Sequence, residues 1–300
     1  MIVIGFILGT ILGSFVKALA DRSLGKKSFW GRSYCLSCHH KLAWYDLFPI
    51  ASYILLRGKC RYCHKKIGIE YLLVEIGMGI LVGFLFWQTP FVIARSEATW
   101  QSVFQSSILL VDLLSKTFFI TILAVLFLTD LKKMLIPDRV IKPAIVIALV
   151  SLIVVTIYKV SYLYYSLSQS MVGRLLLPPH SDYFQRHAIA AAQPLMWGIF
   201  MGILIGGFFY GLIIITRGKG MGGGDVKLGA FIGLMLGFPQ ALFALILAFL
   251  TGAVFSIGLI IFGKKHFGQT IPFGPFLVLG SLIMLYWGNQ IVDWYLKLGS

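Results

Sequence analysis

The chain has 300 residues, a mean hydropathy of +0.88 and only 12% charged residues. A soluble domain of that length cannot bury so many apolar runs of about 20 residues, and the alternating pattern of a membrane barrel is absent. The net charge of +15 would suit a nucleic-acid partner, but the Lys and Arg residues are distributed as the positive-inside rule requires, so topology accounts for them and no nucleic acid is expected.

A hydrocarbon core about 30 Å thick needs ~20 apolar residues per helix. The first run, residues 2–20, lacks a basic leader and a small-x-small exit, so it is expected to be a span rather than a cleaved signal peptide. Further spans are expected at 71–93, 108–129, 141–163, 195–216, 226–238, 240–263 and 276–296. The sixth is short, and Pro239 separates it from the seventh. The pattern therefore predicts an all-α polytopic membrane protein of about eight transmembrane helices, with a small loop domain at residues 21–70.

Orientation follows from the loops. Residues 21–70 carry ten of the 26 Lys/Arg, and the loops at 130–140, 217–225 and 264–275 carry three, two and two. The intervening loops at 94–107 and 164–194 hold only Arg95, Arg174 and Arg186. The first set is expected on the cytoplasmic side, with both termini outside.

The loop at 21–70 contains all four cysteines, as Cys35-x2-Cys38 and Cys60-x2-Cys63 with 21 residues between the pairs. Each pair can turn two thiolates toward one metal, and two pairs complete a tetrahedron. Two disulfides or four free thiols are the alternatives, and a cytoplasmic loop disfavours the disulfides. A four-thiolate site would be closed, so the ion expected there is a structural Zn²⁺. His39, His40 and His64 neighbour the cysteines; they are either further ligands or solvated loop residues.

Acidic residues number eleven, and an ionisable group in or at a span suggests function. Asp130 ends the third span in "FLTDLKKMLIPDRV"; Asp225 begins the sixth in "GKGMGGGDVKLGA". Those spans run in opposite directions, so both carboxylates are expected at the cytoplasmic edge. If they met, one would hold a proton that the other lacks, and such a pair can activate water and protonate a leaving amine. Gly222, Gly223 and Gly224 would let backbone or an extended peptide approach. Helix capping by Asp225 is the competing reading. Edge carboxylates would also suit a polytopic transporter or proton-conducting protein. Asp112 and Lys116 are placed to pair along one helix, Asp138 to cap a helix, and Glu70 and Glu75 to anchor the cysteine loop; Asp293 lies near the outer end of the last span.

Five segments in order resemble the bacterial prepilin peptidases, or type IV leader peptidases, a family of G-x-G-D aspartic proteases. They are "LGSFVKALADR", the cysteine segment with its W-Y-D, P-x-x-S-Y and G-K-C-R-x-C elements, "DLKKMLIPD", "GMGGGDVKLGA" and "IPFGPFL". The resemblance implies Asp130 and Asp225 as the catalytic pair, with Gly222, Gly224, Lys227, Pro137, Pro272 and Gly274 as motif or supporting residues. It implies a zinc tetrad of Cys35, Cys38, Cys60 and Cys63. It further implies cleavage of the basic leader of type IV prepilins or pseudopilins, including those of type II secretion, at the inner-membrane cytoplasmic face. N-methylation of the new N-terminus with S-adenosylmethionine would follow. The implied organisation is a first helix at 1–20, a zinc- and methyltransferase-associated domain at 21–70, and a peptidase domain at 71–300. Lys17 departs from the family pattern, which has asparagine there.

Overall fold

The computed structural model describes the chain except residues 26–27, 30, 36, 90–99, 219–220, 262–270 and 299–300; the side chains of 100–106 are also outside it. The expected loop at 94–107 and the basic pair Lys264 and Lys265 fall largely outside the described residues. Ten α-helices account for most of the rest: α1 (Ile2–Leu24), α2 (Ala51–Leu55), α3 (Ile69–Gln88), α4 (Trp100–Lys133), α5 (Asp138–Ser168), α6 (Met171–Leu175), α7 (Tyr183–Ile215), α8 (Gly223–Leu236), α9 (Gln240–Ile261) and α10 (Gly274–Leu298). Inside a bilayer every backbone polar group must be satisfied locally, so these apolar runs have helix as their only open solution.

Seven of the described helices are long and apolar enough to cross a membrane: α1, α3, α4 from Ser107, α5, α7, α9 and α10. The chain is thus a multi-pass α-helical membrane protein. The expected sixth span at 226–238, short in the sequence, is helical. It forms α8, which has 14 residues and a length of about 21 Å, short of the ~30 Å core. It stops because Gly237 takes φ 64 and Phe238-Pro239 turns the chain into α9.

The chain forms two compact units, Met1–Val140 and Ile141–Ser300. In the first, α1 packs along α3 through glycines. A Cβ on Gly13 would stand 2.7 Å from the Glu75 Cα, and one on Gly79 would stand 2.8 Å from the Thr10 Cγ2. Helices without a hydrophobic drive between them associate through such small-residue faces. α4 joins this pair, burying Phe119, Ile120, Leu123 and Leu126.

In the second unit α7 and α8 lie antiparallel. Gly198 faces Leu234, Gly202 faces Ala230 and Leu234, and Gly206 faces Ala230 and Val226. α9 and α10 pair in the same way, with Gly280 against Ala244 and Gly252 against Phe276.

Candidate functional site

The four cysteines come together. Both C-x2-C pairs sit in the same local turn. The His39 N–H donates to the Cys35 carbonyl at 2.9 Å and the Cys35 N–H to the His40 carbonyl at 3.0 Å; the His64 N–H donates to the Cys60 carbonyl at 2.9 Å and the Cys60 N–H to the Lys65 carbonyl at 2.9 Å. Each turn needs a left-handed residue just after its second cysteine, and His39 (φ 57) and His64 (φ 55) supply it. Histidine is among the side chains that enter this region more readily. These two histidines are turn residues, and the ligand cluster is the four cysteines alone among the described residues.

All four thiols are free. Their Sγ atoms lie within 4.8 Å of one another, and Cys35 Sγ is 3.8 Å from Cys63 Sγ. A tetrahedral ion with metal–sulfur bonds of about 2.3 Å sets its sulfurs about 3.8 Å apart. The donor set and spacing therefore fit Zn²⁺. Crowding splits the thiols' proton affinities. Cys35 is drawn down to about 6, led by a hydrogen bond from the Cys38 backbone. Cys63, despite a hydrogen bond from the Lys65 backbone, is pushed up to about 11 by burial and the three other thiols. A divalent cation would favour thiolate at every position.

Asp46, in the W-Y-D element, organises the loop between the pairs. Its side chain is only 3% exposed. Arg61 Nε donates to it at 2.8 Å, the Tyr62 hydroxyl at 3.1 Å and the Ala43 N–H at 3.2 Å. Burial opposes the carboxylate form, but these donors outweigh it and hold the carboxyl below its ordinary value. Asp46 is not among the sequence candidates. Its position between the two cysteine pairs is the signal that could have found it.

Glu75 is buried and accepts the Ile50 N–H at 2.8 Å, so it anchors the cysteine loop to α3. Glu70 has a different role. It joins an ionic cluster with Lys17, Asp21 and Lys132 at the ends of α1, α3 and α4. Lys17 Nζ lies 2.9 Å from Glu70 and 3.3 Å from Asp21, and Lys132 Nζ lies 3.0 Å from Glu70 and 3.1 Å from Asp21. Tyr71 donates to Asp21 at 3.1 Å and lies under the Lys17 ammonium. Lys17 is 2% exposed, and this cluster is what makes a lysine tolerable there.

Asp130 lies just before Lys132 of that cluster on α4 and is buried. The Met134 N–H closes the helix on the Asp130 carbonyl at 2.8 Å, and Met134 (φ 49) ends it. Asp225 is half-buried in the first turn of α8. The helix is capped by Gly222, so Asp225 is the third helical residue, where the dipole favours an acid, and not the cap. A side chain on Gly222 or Gly223 would meet nothing within 4 Å. The Cβ side of those two glycines is open among the described residues.

Within its unit Asp225 is recessed. Its neighbour Val226 is level with Gly206 of α7, and α7 runs on to Ile215, about 13 Å further. α8 therefore starts well inside the length of α7. Gly274 is buried at the start of α10 and Pro272 is half-buried just before it. Between them, Phe273 packs on Phe209 and Phe249, and Phe209 fills the space above Gly229 of α8. The P-F-G-P segment thus supports the helix that carries Asp225. Lys227 lies half-buried one half-turn beyond Asp225, and Pro137 is buried just before α5.

Asp112 pairs with Lys116 at 2.7 Å. Asp138 is the exposed first residue of α5, and Asp293 is exposed on α10.

Two family models match the chain: the bacterial peptidase A24 N-terminal domain over residues 7–89, and the type IV leader peptidase family over residues 117–257. Similar proteins named prepilin leader peptidase/N-methyltransferase occur in Aeromonas salmonicida (28% identity, 89% of this chain and 75% of the relative), Bacillus subtilis (28%, 99% of both) and Pseudomonas aeruginosa (27%, 88% and 74%). No solved structure matches the chain significantly.

Proposed function

The chain belongs to the type IV leader peptidase family, and from that premise we propose that Asp130 and Asp225 are its catalytic pair, acting on prepilins or pseudopilins at the cytoplasmic face of the inner membrane. The protein is a membrane prepilin peptidase with N-methyltransferase activity, as its relatives' names indicate. The observation that carries the residue assignment is that the matched peptidase stretch, 117–257, contains both aspartates. Two helices long and apolar enough to cross a membrane, α5 and α7, separate them in the chain, and that even number supports the reading that both acids lie on one side. Every relative named above carries the peptidase name, and none favours a transporter.

A prepilin offers a basic leader to the cytosol and an apolar helix to the bilayer. The ionised aspartate takes a proton from water as the water attacks the scissile carbonyl. The protonated aspartate supports the oxyanion and then protonates the departing amine. No covalent intermediate forms. The recessed position of Asp225 fits a bond lying at the junction of leader and apolar helix, and the open side of Gly222 and Gly223 fits an extended substrate.

The proposed domain division is a first helix at 1–20, the cysteine loop at 21–70 as the methyltransferase-associated domain, and 71–300 as the peptidase. Zn²⁺ on the four cysteines would hold the loop folded and take no part in proton transfer. S-adenosylmethionine would supply the methyl group; the loop's sequence carries no G-x-G-x-x-G signature, so no residue is assigned to it.

Co-expression with a tagged prepilin, followed by mass spectrometry of the product N-terminus, tests the pair. Asp130→Asn and Asp225→Asn should each leave the leader in place at normal expression. Wild-type cleavage by either variant refutes the assignment.

A further inference from the structure

The segment Trp44–Leu55 joins the two cysteine pairs and is among the more apolar stretches of the loop. Its apolar side chains point outward: Trp44 is 74% exposed and Leu55 81%, and Phe48 and Ile54 are exposed beside them. Trp44 and Phe48 stack edge-on, with centroids 5.9 Å apart. A loop in water has no reason to build such a face.

The depth of the segment says what covers it. The ionic cluster of Lys17, Asp21, Glu70 and Lys132 marks the polar boundary of the first unit. Ile50, in the middle of the segment, does not stop at that level. Its N–H reaches Glu75, five residues further along α3, about 7.5 Å deeper into the span. The φ of 61 at Ile50 lets the chain reverse there into α2. Both ends of the loop are tied to spans, at Leu24 of α1 and Ile69 of α3, so the face stays tethered to the membrane. Exposed cations follow directly along the chain: Arg57, Lys59, Lys65 and Lys66. The acids of the loop do not neutralise them, because Asp21 and Glu70 are held by Lys17 and Lys132, and Asp46 by Arg61.

We propose that Trp44–Leu55 is seated in the lipid interface, with Trp44, Phe48, Ile54 and Leu55 among the upper acyl chains and the following cations on anionic phospholipid headgroups. Tryptophan at the headgroup level, an apolar face below it and a basic flank are the physical requirements for such a seat. The seat would fix the zinc loop at one height over the membrane, using spans and lipid rather than a protein partner. It depends on the spans alone and not on the peptidase assignment.

The test is ¹⁹F NMR of the full-length, zinc-loaded protein labelled with 5-fluorotryptophan in nanodiscs. The resonance lost in Trp44→Phe identifies Trp44 among the seven tryptophans. In phosphatidylglycerol-containing discs, a lipid nitroxide placed near the headgroup should broaden that resonance severalfold more than a soluble gadolinium chelate does. Leu55→Asp should reverse the ratio. Discs of phosphatidylcholine alone should weaken the lipid effect. Broadening by the chelate and not by the lipid label overturns the proposal, because the face then looks to water. Protection from both overturns it in favour of a protein cover. Equal lipid broadening in both discs overturns the anionic part. None of these readouts involves cleavage.

Discussion

The ionic cluster predicts an asymmetry between its members. Lys17 is the buried one, whereas Glu70 is 60% exposed and Asp21 and Lys132 are about one-third exposed. Replacing Lys17 by methionine removes the buried charge itself and keeps most of the side-chain volume. The carboxylates left behind reach water and keep Lys132, so the loss should be small, about 1 kcal/mol. Replacing both acids, in Asp21→Asn with Glu70→Gln, strands a buried ammonium without a counter-ion. That should cost about 3–5 kcal/mol, roughly a hundredfold or more in the folded ratio. Adding Lys17→Met to the double variant should then restore most of the stability. Equilibrium unfolding in mixed micelles, followed by tryptophan fluorescence, reads all three. The reasoning fails if Lys17→Met is as damaging as the double acid change, or if the triple variant is no more stable than the double. Cleavage should follow the same order, because α4 carries Lys132 just after Asp130.

Three further outcomes are expected. Gly233→Ala places a Cβ 2.5 Å from the Met201 backbone and 2.6 Å from the Gly202 nitrogen. It should push α8 off α7 and lower cleavage at least tenfold, whereas Gly223→Ala, which meets nothing, should retain expression and membrane insertion; a mild effect of Gly233→Ala on both activity and thermal stability would contradict the packing. Cys60→Ser should lose the metal, measured by elemental analysis of the purified protein, and should reduce methylation at least as much as cleavage; methylation unchanged after zinc loss would show that the loop is not its seat. Asp46 has a carboxyl held below its ordinary 3.8 in the folded loop, so its contribution is full above about pH 4 and disappears as pH falls through the lowered value. Protease sensitivity of the cysteine loop should rise on acidification below that point, and Asp46→Asn should show the raised sensitivity already at neutral pH.

Much of the protein is legible one helix at a time. Apolar runs place the spans because hydrophobic length and internal hydrogen bonding are local properties. The two cysteine pairs announce a tetrad because the turn that follows each is short and repeated. Asp130 and Asp225 stand out because carboxylates are scarce next to such runs, and the glycines before Asp225 are visible as a break. Lys17 is noticeable only as a departure, since Glu70, which stabilises its charge, lies 53 residues away. Glu75 is expected to hold the cysteine loop, but its partner is a backbone N–H, which has no sequence signature.

The sequence by itself determined the helical membrane class, the positions of the long spans, the thiol tetrad and the identity of the two candidate acids. Only the tertiary structure decided that the sixth run is a short helix set deep along α7, that Lys17 is buried within a four-residue ionic cluster, that Asp46 holds the zinc loop and that Ile50 dips to Glu75. The physical reason is register. A helix's periodicity follows from its own residues, but which residue of a second helix stands opposite is set by how glycine faces interlock, and by turns such as Gly237-Phe238-Pro239 that stop one helix before its hydrophobic pattern does.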